Sequence, residues 1–205
     1  MGGCVSNEAY NAAVVVSMAS RPVAVIDPKF ALPVAITLHM KEHLWARAND
    51  PFVIKDPHTC APYFRLQGQV VSMRSHKNLL DFEGHVVASM EEAVVALLGG
   101  QTIYSASRTK LCDAVVRFGM CHYRIECRVR NSCASGTTHA FELMSDGFGR
   151  KTVITCDGVV VARAYSPPTL ADEEYFVDIG AGVDIALIVL LCVALEDHVA
   201  KSASD

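Results

Sequence analysis

Much of what would mark a catalyst, a secreted protein or a nucleic-acid binder is missing from this 205-residue chain. None of its eight cysteines forms a Cys-x-x-Cys pair, and the opening run is too short and too uncharged at its front for a signal peptide. The expectation is reduced, cytosolic thiols that mostly serve as small core residues. Cys121, Cys127 and Cys133 are evenly spaced, but the Gly- and Ser-rich stretch after Asn131 takes Cys133 off any strand holding the other two, so no zinc site is expected. Basic residues are not in excess: the net charge is −4 and the pI near 6.0, so no nucleic-acid partner is expected. No Gly-x-Ser-x-Gly, phosphate-binding glycine loop or dinucleotide fingerprint appears, and neither enzymatic activity nor a cofactor is expected. Asp146-Gly147-Phe148-Gly149 reads as a turn.

His39-Met40-Lys41-Glu42-His43 matches the spacing of one metalloprotease motif, which needs both histidines on one face of a helix. Here the segment follows Pro33 and a period-two pattern, so it reads as the end of a strand. No third ligand follows at a suggestive spacing.

A membrane-length apolar run is absent too, but a shorter one organises the chain. From Ile185 to Leu195 the only polar side chain is the Cys192 thiol. That is too long for an ordinary strand, short of the about 20 residues a span needs, and right for a helix of about three to four turns. Glu196-Asp197-His198 is expected to close it. A helix apolar all round must be buried all round, with Ile185, Ile188, Leu191 and Leu195 in a central core.

The remainder reads as strands. Pro22–Asp27 looks like a short strand stopped by Pro28. Val34–Met40, Phe52–Asp56, Tyr63–Gln67 and Val70–Met73 follow, the last two separated at Gly68. Asn78–Ala88 reads as a hairpin turning at Glu83-Gly84. Glu91–Leu98 is ambiguous, with helical propensity ended by Gly99-Gly100. Thr102–Ala106, Ala114–Phe118, His122–Arg130, His139–Leu143, Thr152–Thr155, Val159–Tyr165 and Tyr175–Ile179 complete the set. Asp157-Gly158 supplies the positive φ angles of a tight hairpin. Many short strands with one all-apolar helix predict a sheet closed around it. Holding a helix takes more than about eight strands, and about twelve are expected.

The chain opens Met1-Gly2-Gly3-Cys4-Val5-Ser6, which fits the N-myristoylation signal with Gly2 as acceptor. Cys4 stands where palmitoylation commonly follows. One myristoyl chain holds a protein only marginally and two hold it stably. No basic residue precedes Arg21, so Cys4 would have to supply the second signal. A chance Gly2 on an unstructured tail is the alternative. Residues 7–20 are expected to be a poorly ordered linker with at most a short apolar contact. The expected organisation is a flexible, lipidated segment (1–20), one barrel domain (21–198) and a tail (199–205).

Basic residues cluster between Arg108 and Arg130. Arg124, Arg128 and Arg130 share one strand face by period two. They are candidates for an anionic lipid headgroup, or simply a solvated face. Asp172-Glu173-Glu174 with Asp178 is acidic, but its spacing fits no EF-hand loop.

Pro22–Ile26, Phe30-x-x-Pro33, Leu38–Glu42, Phe52–Asp56, Leu79–Gly84 and Val183–Asp197 resemble the plant LURP-one-related family over about residues 21–198. The likeness is weakest between Glu91 and Lys110, where the family carries a Trp and an Arg-Gly hairpin; the single Trp here is Trp45. The resemblance implies a tubby C-terminal-like fold, a twelve-stranded barrel around a C-terminal helix shared with phospholipid scramblases. It also implies phosphoinositide binding through basic barrel residues and a role in plant defence or stress. Together these give a non-enzymatic module on the cytoplasmic face of the plasma membrane, or in the cytoplasm if unacylated. Its expected partners are the membrane surface, an anionic phospholipid or another protein. The alternative is a scramblase-like phospholipid transporter, which would need the C-terminal helix to leave the barrel.

Overall fold

The computed structural model describes residues 7–41, 52–71, 74–92, 100–119, 122–134, 136–146, 151–166 and 174–202. A short helix α1 (Asn7–Ala12) precedes twelve strands: β1 (Ile36–Lys41), β2 (Phe52–Lys55), β3 (Pro62–Val71), β4 (Arg74–Leu80), β5 (Val86–Glu92), β6 (Gly100–Ser105), β7 (Lys110–Gly119), β8 (His122–Arg130), β9 (Thr138–Asp146), β10 (Lys151–Cys156), β11 (Val159–Tyr165) and β12 (Glu174–Ile179). Helix α2 (Ile185–Ser202) follows. Each strand pairs antiparallel with its sequence neighbours, and β1 closes on β12 from Ile36↔Ile179 to Lys41↔Glu174. The result is the expected closed barrel around a buried helix. Period two decides which side chains fill it: along β8, Tyr123, Ile125, Cys127 and Val129 are buried, while Arg124, Glu126, Arg128 and Arg130 point outward. Ile185, Ile188, Leu191 and Leu195 are buried with every other residue of α2 up to Leu195.

Four expectations are corrected. Helix α2 does not stop at Glu196-Asp197-His198 but runs on to Ser202. Asp197 is itself buried, because the Nζ of Lys77 reaches it from β4; an acid with an internal partner does not end a buried helix. Tyr63–Gln67 and Val70–Met73 are not separate strands, since β3 runs through Gly68. Gly68 is the cross-strand partner of Lys77, so the strand has no side chain beside that long one. Pro22–Asp27 makes only an isolated bridge, Val23 with Val183, because the N–H groups of Ala24, Val25 and Ile26 are taken by side chains rather than by a neighbouring strand. The stretch left ambiguous, Glu91–Leu98, begins as strand, with Glu91 and Glu92 paired with Thr102 and Gln101; residues 93–99 lie outside the described part.

The fourth correction concerns residues 7–20, which are docked against the barrel instead of forming a loose linker. Tyr10 is buried against the wall, its ring under the Lys151 ammonium, and burial pushes its phenol up to about 12. Val16 N–H donates to Val160 O at 2.8 Å and Met18 N–H to Ala181 O at 2.6 Å. Residues 13–35 thus form a strap across one end of the barrel. Because strands alternate in direction, the β2–β3, β4–β5, β6–β7, β8–β9 and β10–β11 turns and the N-terminus of α2 all lie at this strap end.

Two glycines admit the strap. A Cβ on Gly180 would stand 2.4 Å from Val16 O, and one on Gly182 2.4 Å from the Met18 carbonyl carbon. Gly182 also has φ +78. Alanine there adds a clash to the conformational strain, so Gly182→Ala is expected to lose about 2–3 kcal/mol in urea unfolding. Gly84→Ala, with φ +91 but nothing within 4 Å of the new Cβ, should lose about 1 kcal/mol. Equal losses would show that the strap does not depend on that close approach.

Candidate functional site

The outward face of β7–β10 carries the basic cluster around a shallow depression of about 680 Å³. Arg124, Arg128 and Arg130 do share a face, but they are not equivalent. The Nε of Arg124 lies 2.9 Å from Glu126 and 2.9 Å from Glu142, the second carboxylate coming from β9. Its one Nε–H aims squarely at neither. Lys110 is 2.7 Å from Asp113, and Arg117 is 3.9 Å from Glu126. The depression is therefore internally neutralised, and Arg124 is held by its own neighbours. Arg128 and Arg130, exposed near the strap end of β8, carry no ion pair among the described residues.

The metalloprotease spacing dissolves in the structure. His39 is in strand β1, and its Nε2 lies 3.1 Å from Glu174; Glu42 and His43 are outside the described residues. Of the acidic segment, Asp178 accepts from Thr37 at 2.8 Å and from Arg163 at 3.1 Å, while Asp172 and Glu173 fall outside the described part.

His139, Cys156 and Asp157 bring potential metal-ligand atoms within 4.8 Å of one another at the strap end. Hydrogen bonding assigns this group to the turn. Asn131 Oδ1 accepts from Ala24 N at 3.2 Å and Cys133 N at 2.9 Å, and its Nδ2 donates to Pro22 O at 3.0 Å. That fixes the amide, so Nδ2 faces His139 Nε2 at 3.4 Å as a donor. The neutral ring then carries its proton on Nδ1, which donates to Asp157 Oδ2 at 2.7 Å. A metal would need that Nδ1 lone pair. Burial also pushes the Cys156 thiol up to about 12, away from the thiolate a metal takes. Asp157 Oδ1 meanwhile accepts from Ala140 N at 2.8 Å, and the Asp157-Gly158 turn has φ +50 and +81, as the sequence predicts. Cys112, Cys127 and Cys192 are likewise buried and free, whereas Cys60 and Cys133 are exposed. Cys127 and Cys133 are not brought together, and Cys121 lies outside the described residues.

Two buried carboxylates organise the interior, and sequence reasoning missed both roles. Asp184, fully buried, accepts through Oδ1 from Ala186 N and Leu187 N at 3.0 and 3.2 Å, capping α2. Its Oδ2 accepts from Val25 N and Ile26 N of the strap at 2.8 and 2.7 Å. Burial pushes this carboxyl up, against the four N–H groups that favour its charge. On the strap's other side, Ser132 N donates to Ala24 O at 2.7 Å, so residues 22–26 are clamped between the helix start and the β8–β9 loop. Deeper in the barrel Asp197 meets Lys77 and accepts from Gln101 Nε2 at 3.3 Å. The alternation that sends Leu79 inward also sends Lys77 inward, and that was the available signal.

These interior groups are buried and engaged with one another, so they build the fold. The accessible chemistry is on the outer wall and at the strap end. The acylation candidates Gly2 and Cys4 lie outside the described residues.

No curated protein matches the chain in sequence. An X-ray structure of a protein from Arabidopsis thaliana resembles it with a TM-score of 0.59 at 19% identity, over 86% of this chain and 98% of that one; the likeness shows a shared fold. The family model for LURP-one-related proteins matches residues 36–197. That match runs from the start of β1 into α2, and the chain belongs to the LURP-one-related family.

Proposed function

We propose that the protein is a non-enzymatic, membrane-tethered binding module on the cytoplasmic face of the plasma membrane, anchored by acyl chains on Gly2 and Cys4. Family membership and the closed barrel fit a binding module rather than a catalyst. The observation that carries the tether is the docked N-terminal segment, with Tyr10 buried on the wall and Val16 and Met18 hydrogen-bonded to the barrel. The stretch from Gly2 to Ser6 reaches at most roughly 17 Å. Acyl chains there would hold the barrel close to lipid instead of trailing it on a long linker. Exposed Arg128 and Arg130 are free to meet an anionic headgroup. The role in plant defence or stress signalling that the family resemblance implies belongs to the same proposal.

In plant cells Gly2→Ala is expected to move most of the protein from the membrane to the soluble fraction. Cys4→Ser should leave it weakly and reversibly bound, as one chain does. Intact mass should show a hydroxylamine-labile group at Cys4. A Gly2→Ala protein that stays on the membrane overturns the anchor.

The transporter reading is less well supported. Among the described residues no helix is long and apolar enough to cross a bilayer. Helix α2 would have to leave the four hydrogen bonds of Asp184 to do so.

A further inference from the structure

Among the described residues, the large apolar side chains left exposed are Val14, Val16, Val34, Phe82, Val86 and Val159. Barrel topology places all of them at or beside the strap end: Val14, Val16 and Val34 on the strap, Phe82 and Val86 at the β4–β5 turn, and Val159 at the β10–β11 turn. Phe82 is 58% exposed, Val34 61% and Val14 73%; any one of them alone would be ordinary, and it is their gathering at one end that points to a contact. Within the ring of strands, β4 and β5 stand nearly opposite β10 and β11. No single groove joins these residues; a flat surface touches all of them together.

The charges at this end are asymmetric. Its acids are held locally: Asp27 lies 3.9 Å from Lys29 and the exposed Glu83 3.4 Å from His85. Asp56 accepts from His58 N at 2.7 Å and Thr59 N at 2.8 Å; Asp81 accepts from Glu83 N and His85 N; Asp157 holds His139 and Ala140. Its basic residues are not. Arg21, Lys55, Arg65, Arg128 and Arg130 flank the same turns, and none carries an ion pair among the described residues. A rim of exposed apolar side chains surrounded by unpaired cations, on a chain of net charge −4, suits an interface whose outer layer is anionic and whose inside is hydrocarbon.

We propose that the strap end of the barrel is a bilayer-docking face, in which Phe82 and the rim valines enter the interfacial region while Arg21, Lys55, Arg65, Arg128 and Arg130 lie against anionic headgroups. This rests on the membrane reading above but not on acylation. Tyr10 lies on the wall beside Arg163 and Lys151, below the rim. Lys151 opens β10 at the end away from the strap, where it pairs with Tyr165, so docking of the rim is independent of where acyl chains on Gly2 and Cys4 would insert.

The test uses unacylated full-length protein carrying Gly2→Ala and Cys4→Ser, with phosphatidylserine-containing vesicles and pure phosphatidylcholine vesicles as probes. Binding is expected to the first and to be lost on the second. Phe82→Asp with Val34→Asp, or Arg128→Glu with Arg130→Glu, should weaken it roughly tenfold or more. Lys201→Glu, on the far end of α2, should leave it unchanged. All these side chains are solvent-facing, so circular dichroism and melting should match the parent. As an independent readout, Phe82→Trp in a Trp45→Phe background should shift to the blue on binding and be quenched by brominated lipid. No binding by the unacylated parent, or an unquenched Trp at 82, overturns the proposal. Full binding by the Phe82/Val34 double variant also overturns it and leaves the rim to a protein partner. The tether fails separately: if Gly2→Ala stays membrane-bound in cells while the rim variants detach, the acyl anchor is wrong and the docking face stands.

Discussion

Alanine at position 184 is expected to destabilise the protein by on the order of 4 kcal/mol. Asp184 is wholly buried and serves two segments far apart in sequence, capping Ala186 and Leu187 with one oxygen and holding Val25 and Ile26 with the other. Without the carboxylate four N–H groups lose their acceptor, and each buried donor left unsatisfied costs about 1–3 kcal/mol before water relieves part of it. Urea unfolding followed by far-ultraviolet circular dichroism measures the loss. Limited proteolysis locates it, since the strap between residues 13 and 35 should be cut first. Asn at 184 keeps one acceptor oxygen and should fall between. A loss under about 1 kcal/mol for Asp184→Ala would mean that the strap and the helix start are not held by this side chain.

The second large effect is expected at Lys77. Lys77→Met should cost about 3–5 kcal/mol, because it leaves Asp197 charged inside the barrel without its partner. The double variant Lys77→Met with Asp197→Leu should recover most of that loss, with Gln101 as the remaining unsatisfied group. Burial pushes the Lys77 ammonium down and the Asp197 carboxyl up, and the attraction between them offsets this only in part. Both groups are thus shifted toward their neutral forms, the mark of a pair that fixes position more than it adds stability. Chemical denaturation of the two single variants and the double closes the cycle. Additive losses would show that the charges do not act as a pair.

These two sites also show where the sequence stops being readable. Period two along His122–Arg130 named the inward residues, Asp157-Gly158 named its hairpin, and eleven apolar-or-thiol positions in a row named a helix buried on all sides. Those signals are local, and the physics behind them is local too. A lysine, by contrast, reads as solvent-facing until a carboxylate from a helix 120 positions away is known to meet it. Pro22–Ile26 has the apolar content of a strand, and only Asp184 and Asn131 reveal that its backbone is satisfied by side chains. Arg124 looked like its neighbours Arg128 and Arg130 because Glu142 is on another strand. Period two thus put Arg124, Arg128 and Arg130 on one outward face, as β8 has them, but could not say which of them an acid on another strand would engage.

The closure of β1 on β12, with α2 inside, has a consequence for biogenesis. The ring cannot be sealed until its first and last strands both exist, and the hydrocarbon that fills it belongs to the last of the fold's elements to be translated. Until that helix is made, the inward faces of all twelve strands have no helix to pack on, which exposes the nascent chain to aggregation and to chaperones. A premature stop after Ile179 would therefore remove a small part of the length and the whole centre of the molecule, and should behave as a null allele.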